Sequence, residues 1–405
     1  MSESIKDKVA IIGMGLTKWG EMWDKDIFDL LADTTYEAID DAGVDRNQIQ
    51  AIWLGTALQD NYSTGLVLSQ ALQTPMIPVT RVENACGTGA EALRGAAYGL
   101  ASKQYDLVMA VGLDKMKDNG FGGTGLSFAG KWWPLYGQAV EIGGGVARYA
   151  LAATAYFRKY GLSPEEGKRM LGKISVKSHH NGFRNPRAHL RREVTLDQVL
   201  NAPIVAWPLG LYDCCGVTDG SSAAIMCRVE DVPKYAVNHP HDYIVIKGFG
   251  IASSPGWGRE KTDYDFTYWD ATVAAAKQAY AQAGIKNPRE ELSMIEVHDC
   301  FSIAELIAVE SLGICEYGHA KEDIDAGVWE QGGQIPVNIS GGLKSFGHPP
   351  GASGGREIWE FYMQFQRRAQ EPSRQLKDVK LGMAHNQGGN PGLFICGITI
   401  VGAPG

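Results

Sequence analysis

An α/β protein made of two similar halves is what this sequence predicts, and three observations carry the expectation. Short apolar runs ending in glycine alternate with stretches whose apolar residues recur at helical spacing, the pattern of strands covered by helices. The pattern starts again from residue 243. Each copy also carries a glycine-rich turn between a strand and a helix. A period this long does not describe a solenoid and fits a duplicated domain, with halves at about 1–240 and 241–405.

In chain order, Val9-Ala10-Ile11-Ile12-Gly13 reads as a buried strand. Gly13-Met14-Gly15 invites a dinucleotide fingerprint, but its third glycine would fall at Lys18, so that site is not expected. A helix runs from Asp26 to Asp41 on the apolar face of Ile27, Leu30, Leu31, Thr35 and Ile39 and stops at Gly43. Ile49 to Leu54 gives the next strand. Pro78-Val79-Thr80 gives another, followed by a cysteine turn and a helix over Glu91–Ala97. Leu107–Gly112 is a further strand. Residues 115–145 are glycine-rich and irregular, a long excursion that carries Phe121, Phe128, Trp132, Trp133 and Tyr136. Helices are expected from near Gly145 to Tyr160 and after Ser163-Pro164-Glu165. Asp219–Met226 returns to strand.

The second copy mirrors the first. Tyr243–Gly250 matches Val9–Gly15, Trp269–Ala283 matches the first helix, and Leu292–Glu296 matches Ile49–Trp53. Pro336–Ser340 with the helix near Gly355–Gln366 matches the cysteine segment, and Val379–Ala384 matches Leu107–Gly112. In such sheets, sites collect beyond the C-terminal ends of strands, so the two glycine-rich turns should face one cleft.

Composition narrows the function. The chain has 405 residues, 44% of them hydrophobic, enough for a large core. Its formal net charge is −8, with no basic excess that would suit nucleic acid. No apolar run is long enough for a bilayer span. The acidic start without an apolar signal core, and seven cysteines with no C-x-x-C pair, suit a reducing cytoplasm and no metal site.

The stretch with most chemistry is Arg81-Val82-Glu83-Asn84-Ala85-Cys86-Gly87-Thr88-Gly89-Ala90. A thiol at a strand-to-helix turn lies beside free N–H groups and the positive end of the helix dipole, which favour a thiolate. Cys86 is therefore a candidate nucleophile, a buried structural cysteine being the alternative. Three further stretches fall at equivalent strand ends: Glu296-Val297-His298-Asp299-Cys300-Phe301-Ser302, Gly341 to Gly354 with His348, and Ala384-His385-Asn386-Gln387-Gly388-Gly389. Each histidine alone also fits a structural turn. Together they set three imidazoles and a second thiol opposite Cys86. A basic cluster with Arg184, Arg187 and Arg191 reads either as a solvated loop or as a seat for a phosphate or carboxylate.

On the Gly-His-Pro-x-Gly-Ala-Ser-Gly turn, the His-Asp-Cys-Phe turn and the cysteine turn, the chain resembles the thiolase superfamily, closest to its sterol-carrier-protein type, over essentially its whole length. The resemblance implies an α/β thiolase fold of two αβαβα-type halves, a loop domain near 115–210 in the first half, and a dimer or dimer of dimers. It implies Cys86 as the acylated nucleophile, His348 as the group that takes its proton, and His298 and His348 as an oxyanion hole. Cys300 would be the acid/base at the α-carbon. The N–H groups of Cys86 and of Gly388 or Gly389 would form a second oxyanion hole. Degradative thiolases place a catalytic cysteine at the last turn; this chain has His385 there, which shifts the acid/base task to Cys300.

The implied reaction is thiolytic cleavage of a 3-oxoacyl-CoA, or its reverse, with coenzyme A as co-substrate and no covalently bound cofactor. Trp132, Trp133 and the arginine cluster suit an aromatic acyl group with an extra carboxylate, as in benzoylsuccinyl-CoA; packing of the rings at a dimer contact is the alternative. Relatives of this type also imply a small zinc-ribbon/OB-fold partner subunit. Competing readings are a condensing synthase, a retro-aldolase of the same fold, and a non-catalytic acyl-CoA or lipid carrier.

Overall fold

The computed structural model describes residues 4–58, 64–119, 144–238, 241–256, 263–370 and 373–404. In chain order its principal elements are β1 (Val9–Leu16), α1 (Ile27–Ala42), β2 (Ala51–Gly55), β3 (Val79–Val82), α2 (Thr88–Ala101), β4 (Leu107–Asp114), α3 (Gly144–Lys159), α4 (Pro164–Arg184) and β5 (Gly220–Arg228). Then follow β6 (Ile244–Ser253), α5 (Asp270–Ala283), β7 (Met294–Val297), α6 (Ser302–Ser311), α7 (Pro350–Phe365), β8 (Leu381–Asn390) and β9 (Leu393–Gly402).

Nine strands form one sheet in the order β3-β2-β4-β5-β1-β6-β9-β8-β7. Read outward from its middle, each side runs first strand, last strand, next-to-last, second, and the first half adds its third strand, β3, at the edge. The seam between β1 and β6 is short and antiparallel, Ala10 opposite Val245 and Ile11 opposite Ile244. The expected strand at Pro336–Ser340 shrinks to a single bridge from Val337 to Ile295. Asn338 takes a left-handed φ of 56°, and its Oδ1 accepts the Val297 N–H at 2.8 Å, so the ladder stops there.

Local sequence explains the elements. Asp26 and Asp29 form a reciprocal capping box at the start of α1, and Gly43 ends it in the left-handed region at φ 74°. Ser163 and Glu166 cap α4 in the same way, with Pro164 in the first turn. The Gly13/Gly15 pair serves packing. A Cβ on Gly15 would lie 2.0 Å from the Thr34 carbonyl oxygen, and one on Gly13 would lie 2.5 Å from the Ala42 Cβ. Gly248 and Gly250 do the same against α5, the latter 1.9 Å from the Ala275 carbonyl oxygen. Both halves thus lay their first helix directly on their first strand.

The two faces of the sheet hold separate cores. Ala10, Ile12, Leu30 and Leu31 pack on the outer side with α1. Ile11, Leu93, Ala97, Ala224 and Ile358 pack on the other, against α2 and α7. The alternation of Ala10, Ile11 and Ile12 between these cores is the two-residue period of a strand buried on both faces. Helices α2 and α7 meet where glycines remove side chains: a Cβ on Gly354 would sit 2.5 Å from the Ala90 backbone nitrogen. That close approach brings the N-termini of both helices, and the turns before them, together.

Candidate active site

Cys86 precedes α2, whose N-cap is Gly87, and His348 precedes α7. The cysteine turn is held tightly. Thr88 Oγ1 accepts the Asn84 N–H at 2.8 Å, the Glu83 carboxylate accepts the Ala85 N–H, and Ala85 adopts a positive φ of 49°. His298 follows β7 directly. Ligand atoms of Cys86, His298 and His348 all lie within 4.8 Å of one another, and the two imidazole rings meet edge-on with centroids 5.0 Å apart. The sequence expectation that the two glycine-rich turns share one cleft therefore matches the geometry.

Hydrogen bonds set the tautomer of His348. The Ser353 hydroxyl donates to the Pro349 carbonyl at 2.9 Å, so it accepts from His348 Nδ1 at 2.8 Å. Nε2 is then the lone-pair nitrogen, and it is buried with no hydrogen-bond partner. Burial, and secondarily the Arg356 guanidinium, hold His348 down at about 3. Burial, then the neighbouring His348, His385 and Arg356, push His298 well below the usual imidazole value. Arg356 is itself fully buried and paired with Glu296 and the Ser340 hydroxyl. Both imidazoles are neutral at physiological pH.

The thiol departs from the sequence expectation. Cys86 is partly open to solvent as a residue, but its sulfur is enclosed by protein, and burial pushes it up to about 12. The carboxylates of Asp114 and Glu83 add to the rise and outweigh the lowering by the turn's own backbone N–H. The resting group is a neutral thiol, and its proton must leave as the sulfur attacks. Asp114, wholly buried at the end of β4, accepts the N–H of Leu58 at 2.9 Å and that of Gly351, tying the His348 helix to the first half. Its burial raises it to about 7.

Cys300 lies in the turn between β7 and α6, with its carbonyl accepting the Cys215 N–H at 2.9 Å. Burial, and then the neighbouring thiols of Cys215 and Cys86, raise its thiol well above the usual value. Its neighbour Asp299 is buried beside Lys344 at 3.7 Å and accepts the Leu343 N–H, which anchors this turn to the Gly341–Gly354 segment.

His385 is not in a turn. It lies inside β8, opposite Ile398, because the β8–β9 hairpin keeps its register from Leu381 to Asn390. Its Nδ1 accepts the backbone N–H of His298 at 3.3 Å, and its Nε2 is 2.9 Å from the Thr272 hydroxyl. Burial holds it at about 3. Gly388 adjoins the cysteine turn: a Cβ there would lie 2.7 Å from the Cys86 nitrogen. Gly389, at φ 107°, is exposed and backs onto the Leu393 carbonyl.

The three candidate arginines go to separate partners. Arg187 pairs with Glu37 at 2.6 Å, Arg184 with the Gln331 side chain and the Ser373 carbonyl, and Arg191 with the Phe183 carbonyl at 3.3 Å. Trp132 and Trp133 lie outside the described residues, as do Phe121, Phe128, Tyr136 and Trp257. Sequence reasoning assigned no role to Ser353 or Gln387, although both stand in the quoted stretches, and it passed over Tyr149, Thr272 and Asp114. Tyr149 sits on an ordinary amphipathic helix, which gives no sign of what its hydroxyl faces.

A thiol and two neutral imidazoles, presented by turns from both halves of a duplicated α/β sheet, thus meet in one place. The family description "Thiolase, N-terminal domain" matches residues 9–230, and "Thiolase C-terminal domain-like" matches 259–392. A protein of Methanothermobacter thermautotrophicus named acetyl-CoA acetyltransferase is 36% identical over 391 residues, 95% of this chain and 97% of that one. One from Thauera aromatica, named benzoylsuccinyl-CoA thiolase subunit BbsB, is 31% identical over 388 residues, 95% of this chain and 96% of that one. Among solved structures, one titled Ltp2-ChsH2(DUF35) aldolase aligns over 99% of both chains with a TM-score of 0.83 at 22% identity. The chain belongs to the thiolase superfamily. It is an acyltransferase of that family. Among the described residues, no helix is long and apolar enough to cross a membrane.

Proposed function

We propose that this chain cleaves a 3-oxoacyl-CoA with coenzyme A, or forms one in reverse, through an acyl-enzyme on Cys86. The observation that carries the reading is the convergence of Cys86, His298 and His348 within 4.8 Å. As the thiol attacks the 3-oxo carbon, its proton passes to His348 Nε2, the nitrogen left as a lone pair by the Ser353 bond. The carbonyl oxygen of the attacked ketone becomes an alkoxide held by the Cys86 and Gly388 N–H groups. The C2–C3 bond then breaks, the electron pair passes to the enolate of the departing acyl-CoA, and the imidazoles of His298 and His348 hold the thioester oxygen. Cys300 protonates the α-carbon. Coenzyme A finally takes the acyl group from Cys86, which gives ping-pong kinetics.

The acyl group has two supported forms. The acetyl-CoA acetyltransferase relative supports a short acyl group, and the BbsB relative supports an aromatic one such as that of 2-benzoylsuccinyl-CoA. Trp132 and Trp133 are the sequence's candidates for lining the larger pocket; Arg184, Arg187 and Arg191, the sequence's candidates for a carboxylate seat, are engaged with separate partners in this structure. A homodimeric core is supported by the edge strand β3, whose outer side has no partner strand among the described residues. A small zinc-ribbon/OB-fold partner is supported by a relative named as a subunit and by a solved complex of this fold. The cytoplasm is the compartment we assign, on the cysteine usage read from the sequence. That same complex is titled an aldolase, so retro-aldol cleavage is the second reading; it needs no acylated cysteine.

Mass spectrometry after exposure to a panel of 3-oxoacyl-CoAs, with and without any co-purifying partner, tests both readings. An acyl adduct on Cys86 is expected, and its mass names the acyl group. Turnover without any adduct, together with sequential initial-rate patterns, would overturn the thiolase reading.

A further inference from the structure

Three groups at the site share a property that the reaction above does not use: each is a ligand for a soft metal ion. Cys86 Sγ and one ring nitrogen each of His298 and His348 lie within 4.8 Å of one another. A tetrahedral zinc-class ion bonds to sulfur at about 2.3 Å and to imidazole nitrogen at about 2.0–2.1 Å, which sets such atoms about 3.4–3.6 Å apart. Closing the difference takes at most roughly 1.5 Å of side-chain movement. Among the described residues this is the one cluster of three or more Cys, His, Asp or Glu side chains so arranged. The C-x-x-C spacing sought in the sequence has no bearing on it, because its members come from three turns, at residues 86, 298 and 348.

The surroundings prepare the imidazoles for this role. Ser353 accepts the Nδ1 proton of His348, so Nε2 carries the lone pair, and that nitrogen is buried without a hydrogen-bond partner. A hydrogen bond at the far nitrogen is the usual support of a metal-bound histidine. His298 also has a buried Nδ1 without a partner, and its backbone N–H is held by His385 Nδ1 at 3.3 Å. His385 itself is no ligand, since both of its ring nitrogens are engaged. Cys86 is partly exposed as a residue, which gives an ion a route from solvent.

We propose that Cys86 Sγ, His348 Nε2 and a ring nitrogen of His298 form a binding site for a soft divalent cation of the zinc class, and that the bound ion shuts off acylation of Cys86. One thiolate and two imidazoles suit Zn²⁺ or Co²⁺, whereas Mg²⁺ and Ca²⁺ take oxygen ligands. Three protein ligands leave a fourth position for water. Binding exchanges the S–H bond of Cys86 for a sulfur–metal bond. The sulfur keeps the electron pair, one proton is released to solvent, and nothing is oxidised. The ion then occupies both the sulfur that would attack and the lone pair that would take its proton. An acylated Cys86 has no thiolate to offer, so acyl group and ion exclude each other. The site stands on the geometry alone; its effect on acylation rests on the acyl-enzyme reading above.

The test titrates the chelator-treated chain with Co²⁺ alone and then adds Zn²⁺. Cobalt should give a thiolate-to-metal charge-transfer band in the near ultraviolet that saturates at one equivalent, and Zn²⁺ should displace it. Cys86→Ala should abolish the band. Ser353→Ala, which keeps all three ligands, should weaken binding roughly 10- to 100-fold, the usual effect of losing the bond behind a metal-bound histidine. Loss of a ligand in His348→Asn should cost more still, with melting curves confirming that each variant folds. Zn²⁺ should also prevent acetylation of Cys86 by acetyl-CoA, read by mass spectrometry, and EDTA should restore it. No band at excess cobalt, a band that survives in Cys86→Ala, or unchanged affinity in a folded His348→Asn would overturn the site. Acetylation that proceeds with the ion bound would overturn the shut-off. A chain that gives the band but is never acylated by any acyl-CoA would overturn the acyl-enzyme reading instead and leave the metal site standing.

Discussion

His348 Nδ1 lies 2.8 Å from Ser353 Oγ, five residues further into the same segment, and this short contact decides which imidazole nitrogen carries the proton. Ser353→Ala removes the partner and frees the ring to take the other tautomer. We expect Cys86 acylation to slow roughly 5- to 100-fold with little change in melting temperature. Stopped-flow acylation checks it. A rate equal to wild type would show that the ring is oriented by something else.

Cys86→Ala should bind acyl-CoA and never become acylated. Steady-state turnover should drop by roughly 10⁴- to 10⁶-fold, the scale of losing a covalent nucleophile. Calorimetric titration beside intact-mass measurement reads both halves of this expectation.

The resting thiol, raised to about 12, has a testable signature. Iodoacetamide should alkylate Cys86 slowly at neutral pH, with the rate still climbing beyond pH 9. Asp114→Asn removes one of the two carboxylates that raise it, so alkylation at a fixed pH should become faster. Saturation of the wild-type rate near pH 7 would contradict a neutral resting thiol.

Gly388 cannot carry a side chain, because a Cβ there would lie 2.6 Å from the Ala85 Cβ and 2.7 Å from the Cys86 nitrogen. Gly388→Ala should displace the cysteine turn and cost about 10²-fold or more in kcat, the usual effect of losing one oxyanion donor. Comparing kcat with the acyl-CoA dissociation constant would separate this from lost binding.

Acid should destabilise the fold through its buried imidazoles. His348 and His385 are held at about 3 and His179 at about 4, against 6.5 for the free group. Below pH 6.5 the unfolded chain binds protons that the folded one refuses. Their contribution is thus complete above pH 6.5 and is lost progressively as pH falls toward 3. For His179 alone this is roughly 2–3 kcal/mol between pH 6.5 and 4. Melting temperatures across that range should fall steeply, and His179→Asn should flatten the slope.

Much of this was legible in the chain itself. The duplication and the capped first helix both matched the structure, because periodicity and caps are local properties. The grouping of Cys86 with His298 and His348 was readable because their turns occupy equivalent places in a repeated pattern. Two things were not. The rise in the Cys86 thiol comes from enclosure and from Asp114, which is 28 positions away in sequence and on another strand. The place of His385 inside β8 depends on hairpin register.

The glycine-to-backbone contact between α2 and α7 has a bearing on how such enzymes diverge. Cys86 and His348 sit just before two rods that meet main chain to main chain at Gly89 and Gly354. Substitutions in the surrounding loops can therefore reshape what is held without altering the spacing of sulfur and imidazole. Diversity of cargo and constancy of the reacting pair become separable properties of the one molecule.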